Sequence, residues 1–403
     1  MRYRGFLLSL ICIALGCADP GPGVSGIVVT YDTLPGGGIH VTNTGRTTGI
    51  YDSGAWRLEE DLRLGSVDGQ ESERFSRVVD ILTDSAGRIY VLELTSQDIR
   101  VFEPDGTYSH TIGRRGAGPG EFTMAMSMAW TPRGDTLWVV DPGSQRYSAY
   151  TSSGTFLTSV PREVPQFGGP ASFLPDGRMV DWGLGFPEER PGTIAGSLVL
   201  HQPVLLATDM SPGRPLPPLE FSQLMVAEGR FPQPFFGPRL AIASGHDGGI
   251  WFANTEDYTV YNRSPEGDTV RTFTLMVEPV SIGEAERDHV RRMTERRPET
   301  TRLYLESLPV HRPVIVAVFA DQHGEYVFVV GDTRSASGGS AVDVFRSTGE
   351  FLARLPLPTG VLTTPPQAFV GHATDNYLYL VVTDESDVPY VSRLRLMRPG
   401  DSN

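Results

Sequence analysis

Residues 77–122 read RVVDILTDSAGRIYVLELTSQDIRVFEPDGTYSHTIGRRGAGPGEF, and this stretch decides the fold. It contains four short apolar runs, separated by the turn signals SAG, TSQ and PDG, at residues 77–83, 88–93, 98–103 and 108–113. Runs of this length that are rich in Val, Ile, Tyr and Phe predict β-strands, and the signals predict tight turns. Four antiparallel strands cannot bury both faces of their sheet alone, so the unit requires copies packed against it. The stretch therefore predicts one blade of a β-propeller.

The rest of the chain repeats this unit. Further blades are predicted at residues 125–160, at 171–208 followed by a Pro-rich return, at 239–275 and at 314–355. A sixth unit at 368–397 has only three strands. The repeats favour one continuous body over separate domains.

Residues 56–64 (WRLEEDLRL) stand where a fourth strand belongs, yet nothing before them supplies the first three. We therefore predict that they complete the sixth blade by pairing with residues 390–397. Closure of the ring satisfies backbone groups that would otherwise stay unpaired at two sheet edges. The predicted fold is all-β, a six-bladed β-propeller over residues 56–398. A hairpin segment at 27–55, whose placement stays open, precedes it.

The loop IGRRGAGPGEF, with GRIYV and IRVFEPDG before it, resembles the NHL-repeat type of six-bladed β-propeller. The signature is clear in the first two blades, whereas the other blades keep the turn Gly and the apolar runs but lose GxGPGEF. The resemblance covers about 340 residues unevenly and implies a fold more firmly than a function.

Six-bladed relatives of the lactonase and amidating-lyase kind place single Glu, Asn, Asp or His ligands from different blades around a central metal. Five residues near the ends of second strands could hold a divalent cation such as Ca or Zn in this way: Glu93, Asp141, Asn254, Asp332 and Asp384. Such Asp and Asn residues more often cap the following turn. The eight His show no HxH or HxxxH spacing, and no GxSxG motif occurs. We favour a protein without a metal or other cofactor.

The N-terminus has the features of an export signal. Arg2 and Arg4 precede an apolar run at residues 6–15, which is too short to span a bilayer. The sequence ALGC that ends in Cys17 resembles the bacterial lipobox, which implies a signal peptide at 1–16, a lipidated Cys17 and a flexible tether at 17–26. Ala18, in place of Asp, implies sorting to the outer membrane. An ordinary cleaved signal is the alternative.

Composition excludes several classes of protein. The formal net charge of −14 makes nucleic acid an unfavourable partner. All 34 basic residues are Arg, so an enzyme that depends on a specific Lys, such as a Schiff-base enzyme or a kinase, is excluded. The second cysteine, Cys12, lies inside the apolar run of the signal, so a mature domain that begins at Cys17 contains neither a disulfide nor a Cys nucleophile.

Residues 281–308 interrupt the strand pattern and predict two short helices divided by Pro298. Ser281 and Glu284 fit a capping box. The spacing of Ile282, Ala285, His289 and Met293 predicts one apolar stripe. The insert is interpreted as a strut on the propeller face or, alternatively, as a helix that docks a partner.

Long connections cluster at one end of the predicted ring, at residues 183–196, 221–238, 276–312 and 332–340. Loop length can vary there without strain on the sheets, so this end is the predicted working face. The residues predicted to bind an anionic or sugar-like ligand there, with Phe231 as further aromatic area, are Arg114, Arg115, Arg230, Phe235, Phe236, Arg239, His311 and Arg312. The alternatives are salt bridges between blades for the arginines and a plug in the channel mouth for the phenylalanines.

The inner strands are largely apolar, with Asp80 as their only carboxylate. This pattern favours packing over catalysis. We therefore expect a non-catalytic propeller of the bacterial cell envelope that binds an envelope protein or a small ligand, and that meets the membrane through its lipid anchor only. The alternative is a metal-dependent lactonase, other hydrolase or lyase.

Overall fold

Three strands precede the first complete blade in the computed structural model. The residues that it describes are 27–45, 56–165, 169–185, 197–224, 235–237, 239–245, 248–296, 298–331, 341–357, 370–384 and 388–398. The three strands are β1 (Val28–Thr33), β2 (Ile39–Thr44) and β3 (Arg57–Leu64). A single 3-10 turn, Glu71–Glu73, follows them.

The stretch that begins at residue 77 forms one antiparallel sheet, as predicted, and similar sheets follow it along the chain. Blade one contains β4 (Val78–Thr83), β5 (Ile89–Glu93), β6 (Asp98–Phe102) and β7 (Tyr108–Ile112). Blade two contains β8 (Ser127–Trp130), β9 (Leu137–Asp141), β10 (Arg146–Tyr150) and β11 (Phe156–Pro161). Blade three contains β12 (Ser172–Phe173), β13 (Met179–Gly185), β14 (Ser197–Leu206) and β15 (Leu219–Leu224).

The second half of the chain repeats the arrangement. Blade four contains β16 (Leu240–Ser244), β17 (Ile250–Asn254), β18 (Thr259–Arg263) and β19 (Thr269–Leu275). The helices α1 (Glu284–Thr294) and α2 (Pro298–Glu306) follow. Blade five contains β20 (Ile315–Ala320), β21 (Tyr326–Gly331), β22 (Ala341–Arg346) and β23 (Phe351–Pro356). The last three strands are β24 (Gly371–Ala373), β25 (Tyr377–Thr383) and β26 (Pro389–Met397).

The ring closes where the sequence predicts. β3 pairs antiparallel with β26, with Leu64 opposite Val391 and Arg57 opposite Met397, so the sixth blade has the order β24, β25, β26, β3. Leu64 is buried there in a cluster that includes Phe75 and Val391. The six-bladed propeller is thereby confirmed.

The N-terminal hairpin, whose position the sequence left open, lies on the outer edge of blade four. β2 pairs in parallel with β19 and covers its free edge. The Asn43 side chain donates to the carbonyls of Thr274 and Gly349, both at 3.0 Å, and accepts the Phe351 N–H at 2.9 Å. The hairpin therefore fastens blade four to blade five.

Apolar clusters fill the spaces between blades. Two buried carboxylates also join neighbouring blades by hydrogen bonds. Asp181 in blade three accepts the Tyr147 hydroxyl of blade two at 2.6 Å and the Nε of Arg162 at 2.7 Å. Asp343 in blade five has the same relation to Tyr258 of blade four and to Arg354. Both carboxylate side chains are fully buried.

The structure corrects two details of the predicted loops. Residues 221–224 belong to β15, so this part of the predicted 221–238 connection is strand. The N-cap of α1 is Gly283, whose N–H donates to Glu286 at 2.8 Å, so the capping box lies two residues later than the predicted Ser281 and Glu284. Pro298 begins α2, as predicted. Within the described ranges, no helix is long and apolar enough to cross a bilayer.

Candidate binding face

Antiparallel order places the connections between second and third strands, and those between successive blades, at the same end of the ring. Two of the connections between blades stand out there. One is the 113–122 loop between β7 and β8, and the other is the helical insert between β19 and β20. Three blades separate the two connections in either direction, so the connections lie on opposite sides of the six-bladed ring.

The backbone of the 113–122 loop is tightly fixed. Gly113 has a φ of +73°, and a Cβ there would lie 2.2 Å from the Phe122 ring, so this position requires Gly. The Gly116 N–H donates to the Phe122 carbonyl at 2.9 Å, and the Phe122 N–H donates to the Arg114 carbonyl at 2.8 Å. The Arg146 side chain donates to the Gly118 carbonyl at 2.9 Å. These contacts give physical reasons for the GxGPGEF pattern.

This fixed loop presents two guanidinium groups at the surface. Arg114 has 80% of its side chain exposed while its Nε donates to Glu121 at 2.9 Å. The exposed Arg115 donates to the Thr95 carbonyl. Hydrogen bonds from the Gly118 N–H and then from Arg114 lower the pKa of Glu121, which keeps this carboxylate charged beneath the arginine. Both arginines retain exposed N–H groups that an anion can accept from.

The phenylalanines predicted to offer aromatic surface are buried instead. Phe235 and Phe236 pack beneath the helices against Val290, and the Phe235 ring lies edge-on to Tyr304 with centroids 4.9 Å apart. The predicted stripe on α1 is also wrong, because Val290 is its buried residue whereas Met293 is 58% exposed. The insert is therefore a packed module, with the two rings as its base.

Arg312 belongs to this module, whereas Arg239 directly precedes β16 of blade four. The Arg312 guanidinium pairs with Glu286 at 2.8 Å and lies 5.1 Å from the centre of the Phe236 ring, with 3% of its side chain exposed. Burial lowers the pKa of Arg239 to about 10, so this side chain remains charged at neutral pH. His311 is exposed at the neck of the insert, with Nδ1 3.4 Å from the Ser281 hydroxyl. The predicted residues Cys17, Arg230 and Asp332 lie outside the described residues.

The carboxylates proposed as alternative metal ligands cap loops. Glu93 accepts the Ser76 N–H at 3.1 Å and the Ser96 N–H at 2.6 Å. Asp141 accepts the N–H groups of Thr123 and Met124, both at 2.9 Å. Although burial opposes it, the hydrogen bonds lower the pKa of Asp141.

Asn254 and Asp384 behave in the same way. Asn254 accepts the Glu256 N–H at 3.1 Å, and Asp384 accepts the Val388 N–H at 3.0 Å. Among the described residues, no three His, Cys, Asp or Glu side chains come together in a group that could hold a metal. The divalent cation stays a prediction that metal analysis of the purified protein can test.

Asp80 lies on the inner strand of blade one and reaches the next blade. Its carboxylate accepts the Met128 N–H at 2.7 Å and the Ser127 hydroxyl at 3.3 Å. Burial raises the pKa of Asp80 to about 7, although these hydrogen bonds oppose the rise. The group therefore joins two blades, and it loses its proton only near neutral pH.

We expect Asp80→Asn to stabilise the protein above pH 7. A pKa raised by folding means that the unfolded chain releases its proton first, so the native state loses stability as pH rises from about 4 to about 7. Asn has no such transition. A rise of roughly three pKa units corresponds to about 4 kcal/mol, so the stability of the variant relative to the wild type should be about 4 kcal/mol higher at pH 8 than at pH 4. Urea unfolding across this range measures the difference, with exposed Asp268→Asn as the control. A gain that does not change with pH would contradict the raised pKa.

Comparisons with known proteins agree with this architecture. A family model described as a 6-bladed beta-propeller matches residues 70–159, which include blade one and all of blade two except the last two residues of β11. A solved structure of a member of the duf4221 family from Bacteroides vulgatus has 11% identity and a TM-score of 0.51, covering 85% of this chain and 99% of that chain. A putative exported protein from Bacteroides fragilis has 13% identity and a TM-score of 0.48, covering 85% and 95%. A search of curated proteins found no match. At 11% identity the likeness to the duf4221 structure shows the fold alone.

Proposed function

We propose that this protein is a non-catalytic binding propeller, held at the bacterial envelope by lipid on Cys17, that captures an anionic group at its long-loop end. The observation that carries the proposal is the 113–122 loop. It presents the exposed Arg114 and Arg115 side chains on a backbone that its own hydrogen bonds fix. Because this loop is already ordered, binding of a partner to the two guanidinium groups does not have to include the entropy cost of ordering the loop.

The charge of the chain supports this choice of ligand. With a formal net charge of −14, most of the surface repels anions. Two neighbouring arginines on a fixed loop form a local exception, and guanidinium groups suit carboxylates and similar planar anions. The ligand class is an acidic segment of an envelope protein or an anionic saccharide.

Glu93 and Asp141, the carboxylates at the ends of the second strands of blades one and two, support binding over catalysis. A metal-dependent hydrolase needs carboxylates that are free to point at an ion, whereas Glu93 and Asp141 accept several backbone N–H groups each. Their geometry fixes loops at the rim, which gives a binding surface its shape.

We expect the purified protein to bind polygalacturonate, an anionic saccharide polymer, and not the neutral polymer dextran. The double variant Arg114→Ser with Arg115→Ser should lose most of this binding, because it removes both exposed guanidinium groups of the loop. Arg133→Ser is the matched control, since Arg133 is exposed in a short turn at the opposite end of blade two. Calorimetry at low and high salt measures the effect, which salt should weaken. Equal binding by the double variant, or equal binding of dextran, would refute the assignment to this loop.

A further inference from the structure

The chain reaches the propeller beside the helical insert. β1 begins at Val28, which lies opposite Thr44 in the hairpin. β2 runs parallel to β19, with Asn43 beside Leu275, and the Met276 N–H donates to the Asn43 carbonyl at 3.3 Å. The chain that precedes residue 27 therefore joins the domain at the long-loop end, next to the start of the insert.

The segments that meet at this corner carry the most exposed large apolar side chains of the described residues. Of the large apolar residues that the structure describes, the four most exposed are Val310 at 75%, Met276 at 64%, Val28 at 60% and Met293 at 58%. All four belong to the hairpin start, to the insert or to its neck. Exposed apolar side chains gathered in this way indicate an interaction site, whereas the same side chains scattered singly would need no explanation.

Basic side chains accompany these apolar residues on α1. Arg292 lies on α1 next to Met293, and Arg296 follows the C-cap residue Glu295; both arginines are exposed. Elsewhere on the helix, Arg291 pairs with Glu284 at 2.6 Å. Neither Arg292 nor Arg296 forms an ion pair with another described residue. Exposed apolar residues beside unpaired arginines fit the boundary between acyl chains and anionic headgroups.

We propose that this surface, formed by Val28, Met276, Arg292, Met293, Arg296 and Val310 and named here the anchor corner, rests on an anionic lipid surface. The inference depends on the lipid anchor of the proposed function. Residues 18–26 can span at most about 30 Å from Cys17, so an anchored chain keeps the anchor corner close to the bilayer. Because so short a tether holds the domain near the bilayer, the effective concentration of lipid at the anchor corner is high. Contacts with lipid that would be weak for a free domain can then form.

This contact would leave the proposed binding loop open. The insert lies between blades four and five, and the loop with Arg114 and Arg115 lies between blades one and two, on the opposite side of the ring. When the anchor corner contacts the lipid surface, the 113–122 loop therefore lies on the side of the ring away from that contact. The anchor corner and the binding loop have separate tasks at one end of the ring.

Site-specific probes test the proposal in the full lipidated chain. A mature chain whose Cys17 carries lipid has no other cysteine, so Met293→Cys gives one labelling site for an environment-sensitive fluorophore. Arg133→Cys, at the short-turn end, is the matched control. On vesicles of phosphatidylethanolamine and phosphatidylglycerol we expect a blue shift and a several-fold loss of iodide quenching at position 293, with no change at position 133. Adding Arg292→Glu and Arg296→Glu should abolish the change at position 293.

The possible results separate this inference from its premise. Palmitate labelling of the wild type should be lost in Cys17→Ser, and labelling that persists would remove the anchor on which the proposal depends. Labelling that depends on Cys17, with a probe at position 293 that stays water-accessible on vesicles, would overturn the lipid contact and leave the anchor intact. A probe that is shielded in native envelope membranes, yet not on pure lipid, would show that a protein covers the corner and would also overturn the proposal.

Discussion

Replacing Asp181 by Ala should lower the free energy of unfolding by about 3–5 kcal/mol, the usual result of removing one partner of a buried ion pair. The Asp181 side chain is fully buried and is the acceptor for both Tyr147 and Arg162. Burial and then the carboxylate raise the pKa of Tyr147, so its phenol stays protonated and needs an acceptor. The variant leaves a buried guanidinium and a buried hydroxyl without this acceptor, and urea unfolding measures the cost.

A surface pair on the same blade is the control for this effect. Asp176 contacts Arg178 at 2.7 Å, but both side chains are more than a third exposed. Asp176→Ala should therefore cost no more than about 1 kcal/mol. Asp343→Ala, which removes the equivalent acceptor between blades four and five, should resemble Asp181→Ala. Equal losses for Asp176→Ala and Asp181→Ala would mean that the buried pair does not join the blades as the structure indicates.

The blade pattern could be predicted because its causes are local. Each short apolar run forms a strand with a neighbour in the sequence, and a Gly with positive φ, such as Gly106 at +89°, ends many of the turns. The role of residues 56–64 followed from counting strands, since a ring of complete blades has one place for a spare strand. The position of the hairpin could not be predicted in this way, because Asn43 finds its partners more than 200 residues away.

In the candidate site, too, residues fixed by local contacts could be predicted, whereas residues fixed by contacts distant in the sequence could not. The exposed Arg114 and Arg115 lie on a loop whose glycines and hydrogen bonds are mostly contained within residues 113–122. The position of both arginines on this loop could therefore be predicted from the local sequence. Phe235 and Phe236 were misassigned because the helices that cover them come about 50 residues later. The carboxylates of Asp181 and Asp343 went unnoticed because each partner tyrosine lies one blade away. A single Asp inside an otherwise apolar strand was the signal that could have found them.

Replacing β3 with Gly and Ser residues should abolish cooperative unfolding of the propeller. β3 supplies the fourth strand of the sixth blade and buries Leu64 at the seam. Without it, the backbone groups of β26 face solvent along the whole edge, and two blades lose their closing contact. The expected loss exceeds about 5 kcal/mol, the lower end of the total stability of an ordinary domain. Thermal unfolding followed by circular dichroism and by light scattering measures both the loss of cooperativity and association through the bare edge.

The same replacement of β1 is the matched control. β1 is also a largely exposed edge strand with a single partner, but that partner, β2, lies outside the four strands of blade four, and no residue of β1 is buried. The β1 variant should unfold cooperatively at a slightly lower temperature. A synthetic peptide of residues 56–64 added to the β3 variant should restore cooperative unfolding, because the peptide can fill the open edge, whereas a scrambled peptide should not. If both variants instead unfold at the same temperature, the seam contributes no more than an ordinary outer strand, and closure by β3 is not what holds the ring together.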